Sequence, residues 1–526
     1  MPAVVTDQFR IFNANNFVES LFDSSNSYYV FVGLADPIQS VPQFGRATSA
    51  NWPNNTPPVD NFQYLSHYRD TALFGKKISA ANVRRVVKKN NWVANTKYDM
   101  YRHDYSATQK SPNSESTNLY GSNYYVVNSN LQVYICIDNG SSGVFGSDSA
   151  KGGDSLDEPT FTDTQPSAAG TSGDGYVWKY LYSIAPSDII KFDSTEYIAL
   201  PNDWPTSTDS QIQNVREAGD SRINNNQIKK VYIQEGGSNL TSKYSEGTHT
   251  CDILGDGTGA QVTVTVNSNG KIIDAVVVSG GQGYTYGIVD LTPAQVNPNA
   301  TIPIADSAVL VPIIPPSRGH GFDLYTELGA DKILIYTRFD DSTKSFPTST
   351  KFSQVGILKN PERFSDSTIF DGINFSSAFA MKFDSDPSST PTVGTEITSS
   401  SGAKGTITSY DSQTKVLKYT RDRSLYFNSG TVPQDQRDYA GVNTGSKIIE
   451  FATGDTVSPV SATIENFNGS TVNVSNKVVG LGVTFSGGLA KPEINKQTGD
   501  IIYIDNRDLV SRDARQKEDI KIILEF

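Results

Sequence analysis

Residues able to do chemistry are few and scattered. The four histidines are His67, His103, His249 and His320, and no two stand at ligand spacing. A metal site needs several convergent nitrogen, sulfur or oxygen donors. Cys251 lies close to His249, but no further His or Cys joins them nearby. His103 sits in Tyr98-Asp-Met-Tyr-Arg-His-Asp-Tyr105, which reads as a hydrogen-bonded surface loop. Gly255-Asp-Gly-Thr-Gly259 and Gly280-Gly-Gln-Gly283 have the punctuation of phosphate loops. Neither opens a helical pattern or carries the Lys-Ser/Thr of a P-loop, so both read as tight turns. Asp252 and Asp256 flank the start of the first run without the spacing of an EF-hand loop. Asp340-Asp341, and Asp203 beside Trp204, are carboxylates that the sequence cannot place at the separation acid–base hydrolysis needs. A Gly-x-Ser-x-Gly elbow is absent. The expectation is a chain with no catalytic, cofactor-binding or metal residue, no cofactor, and no enzymatic activity.

The densest local signal is of another kind. In Gly173-Asp-Gly-Tyr-Val-Trp-Lys-Tyr-Leu-Tyr-Ser-Ile-Ala-Pro186 the Asp174-Gly175 pair makes a turn, and Tyr176, Trp178, Tyr180 and Tyr182 then alternate with other residues. In a strand these four rings share one face. A face that large covers either the chain's own core or a protein partner. Tyr197 and Trp204 follow in Thr195–Pro205. Upstream, Lys76, Lys77, Arg84, Arg85, Lys88 and Lys89 gather before Trp92 on an expected helix over about Ala80–Lys89. A solvated helix face is the bland reading of that cluster, and a surface for an acidic partner is the sharper one. The interface candidates are therefore Gly173, Asp174, Gly175, Tyr176, Trp178, Tyr180, Tyr182, Tyr197, Trp204, Trp92, Arg84 and Arg85.

The elements that must position these residues are mostly strands. Short apolar runs rich in Val, Ile, Tyr and Phe recur between Gly, Pro, Asn, Asp and Ser: Tyr28–Leu34, Asn123–Val127, Val133–Ile137, Lys332–Tyr336 and Lys521–Phe526. Helical periodicity appears around Asn16–Phe22, at Ala80–Lys89, and as one turn at Pro186–Ile190. Gly259–Val266 alternates with period two, and Asn269-Gly270 after it signals a type I′ hairpin with Lys271–Val278 as the return strand. The fold class expected is mainly β: a layered antiparallel β-sandwich core with a few short helices and two small all-β inserted modules. The boundaries expected are 1–235 for the first part of the core, 236–304 for one insert, 305–385 for the second part of the core, 386–488 for the other insert, and 489–526 for the closing strands.

Composition agrees. The chain has 526 residues, 37% hydrophobic and only 19% charged, with 26 Tyr and 25 Phe. Disordered chains lack so many aromatics, and helical bundles need more Ala, Glu, Lys and Leu. A membrane-spanning run of about 18 apolar residues is missing from the sequence. A net charge of −12 repels a phosphate backbone, so no nucleic acid is expected as a partner. Cys136, in an apolar strand, reads as a small core hydrophobe, and two distant cysteines make no disulfide framework. The first residues have neither basic nor apolar signal regions, so no secretory signal is expected.

The Gly173–Leu181 run, with Glu196-Tyr-Ile198 and Trp204-Pro205 after it, resembles the baseplate wedge subunit of T-even-like contractile-tailed phages, the homodimeric protein of the wedge periphery. Val83–Trp92 with Thr96-Lys-Tyr98 is similar to that family's basic-plus-Trp segment. Val133–Asp138 resembles its strand with a buried Cys, and Phe352–Pro361 its Phe-x-Gln strand ending in Asn-Pro. Gly499–Arg507 followed by Glu518–Phe526 resembles its closing motif. The likeness covers about residues 15–230, 305–385 and 490–526. It implies a β-sandwich structural protein that pairs as a homodimer and packs against other baseplate wedge proteins. The place implied is the virion tail baseplate, with host cytoplasm during assembly. The two inserts, which lie outside the likeness, are then expected to reach tail fibres or neighbouring wedges. A receptor-binding or glycan-degrading tail protein is the alternative that the Ser/Thr/Asn-rich composition and surplus Tyr leave open.

Overall fold

In a computed structural model of the chain, the residues described are 5–33, 72–219, 227–237, 243–296, 307–340, 350–420, 449–512 and 516–526. His67 and Asp341 lie outside them. The protein is mainly β, with several antiparallel sheets and few helices, as a sandwich-rich fold requires. It divides into two compact units. One holds residues 1–16, 84–334 and 523–526, and the other residues 17–83 and 335–522.

The first unit is organised by the strand Tyr176–Ser183. It pairs antiparallel with Gln132–Asn139, which pairs in turn with Tyr125–Val127. Trp178 faces Cys136 across the ladder, and Tyr180 faces Tyr134. Bulges between Val133 and Tyr134 and between Cys136 and Asp138 increase the local twist. The four aromatics of the strand are all buried in one cluster with Tyr98, Tyr124, Tyr134, Ile135 and Trp204. Tyr176 stacks on Trp178 at 12°, and Tyr98 meets Trp178 edge-on. A second core in this unit lies under the four-stranded sheet Ile272–Gln282, Thr258–Val266, Gly247–Gly255 and Gly287–Val289. In Thr258–Val266 the residues Ala260, Val262, Val264 and Val266 point inward and Thr263 and Thr265 outward, the period-two pattern read from the sequence.

The second unit contains a five-stranded sheet in the order Asn374–Ser376, Ala72–Lys77, Tyr28–Gly33, Lys351–Lys359 and Asp500–Ser511. Phe375, Gly75, Phe31 and Gly356 stand in register across four of these strands. Each ring lies over a glycine. A Cβ added to Gly75 would stand 2.2 Å from the Phe375 ring, and one added to Gly356 would stand 2.4 Å from the Phe31 ring. A seven-stranded sheet runs from Ala462–Thr463 to Leu489–Ala490, with Glu396–Ser399, Lys404–Asp411, Val416–Thr420 and Phe379–Lys382 inside it. The ribbon Gly469–Val474 with Lys477–Phe485 stands beside these sheets as a two-stranded pair of its own.

Three local expectations are corrected. The opening helix is Asp7–Phe22, longer than Asn16–Phe22, because the buried stripe begins at Ile11 and Ala14 and continues through Val18 and Leu21. The helix expected at Ala80–Lys89 is a single turn, Ala80–Asn82, followed by the strand Val83–Lys88. Ser79 and Asn82 close the turn on each other, and the β-branched Val83, Val86 and Val87 take sheet positions, with Val86 opposite Ala199. The Asn269-Gly270 turn is not type I′. The Asn267 carbonyl accepts the Gly270 N–H at 2.8 Å, only Gly270 is left-handed (φ 71°), and Asn267 pairs with Lys271. That is a three-residue connection ending in a glycine bulge. The helix Pro186–Phe192 forms where one turn was expected.

Two stability predictions follow from this packing. Trp178→Ala removes a fully buried indole and should cost about 3–5 kcal/mol, read as a fall in the denaturant midpoint of the first unit. Gly75→Val or Gly356→Val forces a side chain into an aromatic ring and should cost about 1–3 kcal/mol or more. If these glycine variants unfold like the wild type, the ring-over-glycine ladder is not a constraint on the sheet.

Candidate functional site

The interface candidates separate into buried and surface residues. Tyr176, Trp178, Tyr180, Tyr182 and Trp204 are buried in the chain's own core, so no partner reaches their rings while the unit stays folded. Asp174 shapes the turn before them. Its Oδ1 accepts the Tyr176 N–H at 3.0 Å and its Oδ2 the Leu156 N–H at 2.8 Å, while Gly173 and Gly175 take left-handed φ. The Trp204 indole donates to the Gly321 and Phe322 carbonyls. Trp92 is half-buried and donates to Ser155 Oγ. Arg84 pairs with Asp188 at 2.9 Å and lies over Phe192, which ties the strand Val83–Lys88 to the helix Pro186–Phe192. Lys89 pairs with Asp193. Arg85 is buried, 4.1 Å above the Tyr325 ring, and donates to Asn15. The Arg84, Arg85 and Lys89 part of the basic cluster therefore fastens elements together. Tyr197 is half-buried on the strand Tyr197–Ala199.

The structure also assembles a polar group that sequence spacing did not bring forward. His320 and Glu327 are 2% and 1% exposed, and His320 Nδ1 lies 2.6 Å from Glu327 Oε1. The carboxylate accepts, so this nitrogen carries a proton. Glu327 Oε2 accepts the Gly321 N–H at 2.6 Å, which satisfies both oxygens. The segment between them is the short helix Leu324–Glu327, capped by Asp323, which accepts from Thr326 N. That cap, Asp-x-x-Thr, was the only sequence signal that could have joined the two residues. Tyr101 packs edge-on against His320 at 4.7 Å, and burial pushes its phenol well above 10. Lys179, also buried, donates to the Thr164 carbonyl at 2.7 Å, and burial lowers its ammonium to about 8.

This arrangement is chemically a histidine held in one orientation by a carboxylate. Its imidazole is enclosed, and Tyr101 is its contact with open space. Tyr101 lines a cleft of about 550 Å³ with His103, Gln227, Gly283, Tyr284, Thr285, Ile314, Pro315, Ser317 and Arg318. His103 Nδ1 accepts the Ile314 N–H at 3.1 Å, which leaves the ring proton on Nε2. Packing around the ring and the Arg102 charge hold His103 below its ordinary value. Among the described residues, no group of three or more His, Cys, Asp or Glu side chains could hold a metal ion. Cys136 and Cys251 are both buried free thiols, and His249 bonds to the Ser245 carbonyl rather than approaching Cys251. The first glycine run is the tight turn expected, joining Gly247–Gly255 to Thr258–Val266, but the second is not: Gly280–Gln282 ends the strand Ile272–Gln282, with Gly280 opposite Ala260 and Gln282 opposite Thr258. Asp256 in the first run accepts the Thr285 and Tyr286 N–H groups just beyond the second. No helix among the described residues is long and apolar enough to cross a membrane.

No family model matches the chain, and no curated protein matches it.

Two outcomes follow from these buried ions. Replacing Glu327 by Ala strands a buried histidine and the Gly321 N–H, and should cost about 3–5 kcal/mol. The His320→Ala, Glu327→Ala double variant should lose less than the two single costs added together. Lys179 loses protons in the folded state near pH 8 but only near 10.5 when unfolded. Between those values the unfolded chain binds more protons, so this lysine makes stability rise with pH from about 8 to 10.5. Lys179→Met should remove that share of the rise in a series of denaturation midpoints. An unchanged pH slope would mean that Lys179 is not the buried ammonium described.

Proposed function

We propose that this chain is a structural component of a phage tail baseplate wedge, that it works as a homodimer packed against other wedge proteins, and that it acts by assembly rather than catalysis. The observation that carries the reading is how the segments of the family resemblance pack. Val133–Asp138 lies directly beside Tyr176–Ser183 in one ladder, with Cys136 opposite Trp178. Tyr98, from the Thr96-Lys-Tyr98 segment, donates its N–H to the Tyr176 hydroxyl at 2.9 Å. In the other unit, Phe352–Pro361 pairs with Gly499–Arg507, Gln354 facing Asn506 and Lys359 facing Asp500. Segments far apart in sequence and chosen for their likeness to one family thus meet as neighbours.

The titratable groups support the same reading. Arg84, Arg85, Lys89, His320 and Glu327 each hold one part of the fold to another. A stable homodimer buries about 1,200 Å² or more in an isologous contact. Sedimentation equilibrium of the purified chain at micromolar concentration should give the dimer mass, and mixing with the neighbouring wedge proteins should give a larger complex. A monomer throughout that range that also fails to join the other wedge proteins would overturn the proposal. If that monomer released reducing sugar from host polysaccharide, a glycan-degrading tail protein would replace it.

A further inference from the structure

Another cleft, of about 590 Å³, lies in the first unit, lined by the start of the opening helix and by the strands Val83–Lys88 and Tyr197–Ala199. Arg10 is part of its lining. The Arg10 Nε is buried and has no hydrogen-bond partner among the described residues. Asp7, one turn earlier on the same helix, accepts from Asn118 Nδ2 at 3.2 Å instead. A buried donor on a charged group is costly when it has no acceptor, so an orphan of this kind calls for an explanation.

Most other polar groups around the cleft are committed. Lys332 is shared by Asp331 at 2.9 Å and Glu525 at 3.2 Å, and Lys89 holds Asp193. Tyr120 donates to the Thr326 carbonyl at 2.9 Å and accepts from Gln8 Nε2 at 3.0 Å. Tyr125 donates to the Lys88 carbonyl at 2.6 Å. These bonds fix two aromatic walls in place. Lys88 and Tyr197 differ from them. They stand directly opposite each other in the ladder, so their side chains share one face with Cβ atoms about 5 Å apart. Both line the cleft, and neither side chain makes a hydrogen bond or ion pair among the described residues. Buried Ile11, Val87 and Leu328 supply apolar lining.

We propose that this cleft binds a carboxylate, held by the Arg10 guanidinium, with the Lys88 ammonium and the Tyr197 hydroxyl as further donors. The edge of a guanidinium formed by Nε and one Nη matches the two oxygens of a carboxylate, and the charge strengthens both bonds. Charge also selects the kind of anion. With Lys332 and Lys89 taken, Arg10 and Lys88 share the lining with Asp7 and Glu196. Those two carboxylates repel every negative charge brought in, which penalises a phosphate dianion more than a carboxylate. The carboxylate belongs to a small organic acid or to an acidic side chain of a peptide, and the chemistry at Arg10 is the same for both. The inference stands apart from the assembly reading, because the cleft is complete within one unit of one chain.

The test uses the full chain in ligand-observed NMR titrations at neutral pH and constant ionic strength. Propionate is the probe for a small acid, and acetyl-Gly-Glu-Gly-amide is the probe for a side chain. Acetyl-Gly-Gln-Gly-amide and inorganic phosphate are the comparisons. Saturable binding of propionate, of the Glu peptide or of both is expected. A peptide that binds tighter than propionate identifies a side chain as the source, and propionate binding at least as tightly identifies a small acid. Arg10→Gln should weaken binding about tenfold or more, and Tyr197→Phe about threefold. Tyr197→Phe keeps the ring in its strand pair, so it and Lys88→Met serve if Arg10→Gln does not fold. Absence of saturable binding of both probes overturns the site. So does equal binding of the Gln peptide, tighter binding of phosphate, or binding that the folded variants leave unchanged.

Discussion

A buried tyrosine must give its hydroxyl proton to something, and in this protein the acceptor is most often a backbone carbonyl distant in sequence. Tyr176 donates to Gly153, Tyr134 to Phe161, Tyr182 to Ala199, Tyr124 to Glu327, Tyr325 to Pro201 and Tyr232 to Gly143. In the second unit Tyr29 donates to Phe370 and Gly372. Each ring adds apolar area to a core, while its tip pins a second segment of the chain. Orphaned loop carbonyls are costly when buried. Tyrosine therefore satisfies two demands at once, which is how 26 of them coexist with so little charge. The loops around the first core depend on this arrangement. Those hydroxyls add anchors to the segments near 153, 161 and 201 beyond the few backbone bonds that hold them.

Strand identity was legible because β-branched and aromatic residues crowd short runs between turn residues. Tyr28–Gly33, Gln132–Asn139, Tyr176–Ser183 and Lys332–Phe339 all form close to where alternation and composition put them. Val83–Lys88 was misread because its valines and basic residues also fit a helical spacing, and only pairing with Tyr197–Ala199 decides between the two. The alternation of Tyr176–Tyr182 suggested one covered face. The strand is in fact enclosed on both sides, with Lys179 and Leu181 buried as well. Periodicity cannot report the second sheet face when a lysine occupies it.

The contacts that sequence could not give are long-range and side-chain specific. Gly75 and Gly356 carry no local mark of their role. Their purpose appears only when Phe31 and Phe375 are seen lying across them from neighbouring strands. His320 and Glu327 are separated by Gly-Phe-Asp-Leu-Tyr-Thr, in which the Asp323 cap was the one local signal, and no motif named the pair. The cleft behind Tyr101 draws its walls from residues near 101, 227, 284 and 314, four parts of the chain that share no local pattern.

The buried cations show which side chain such a fold can absorb. Arg102 is 5% exposed, forked onto Asp104 and 4.2 Å above the Tyr232 ring. Arg85 lies over Tyr325, and Arg512 is fully enclosed against Glu518. A planar guanidinium can stack on an aromatic face and still donate in its own plane, so it keeps its charge inside a Tyr-rich core. An ammonium has no such second face. Lys179 and Lys418, both buried, are pushed down to about 8 by desolvation. The abundance of tyrosine thus shapes the electrostatics as well as the packing. It makes arginine tolerable at depth and lets a chain with few charges place several of them where they lock one segment to another.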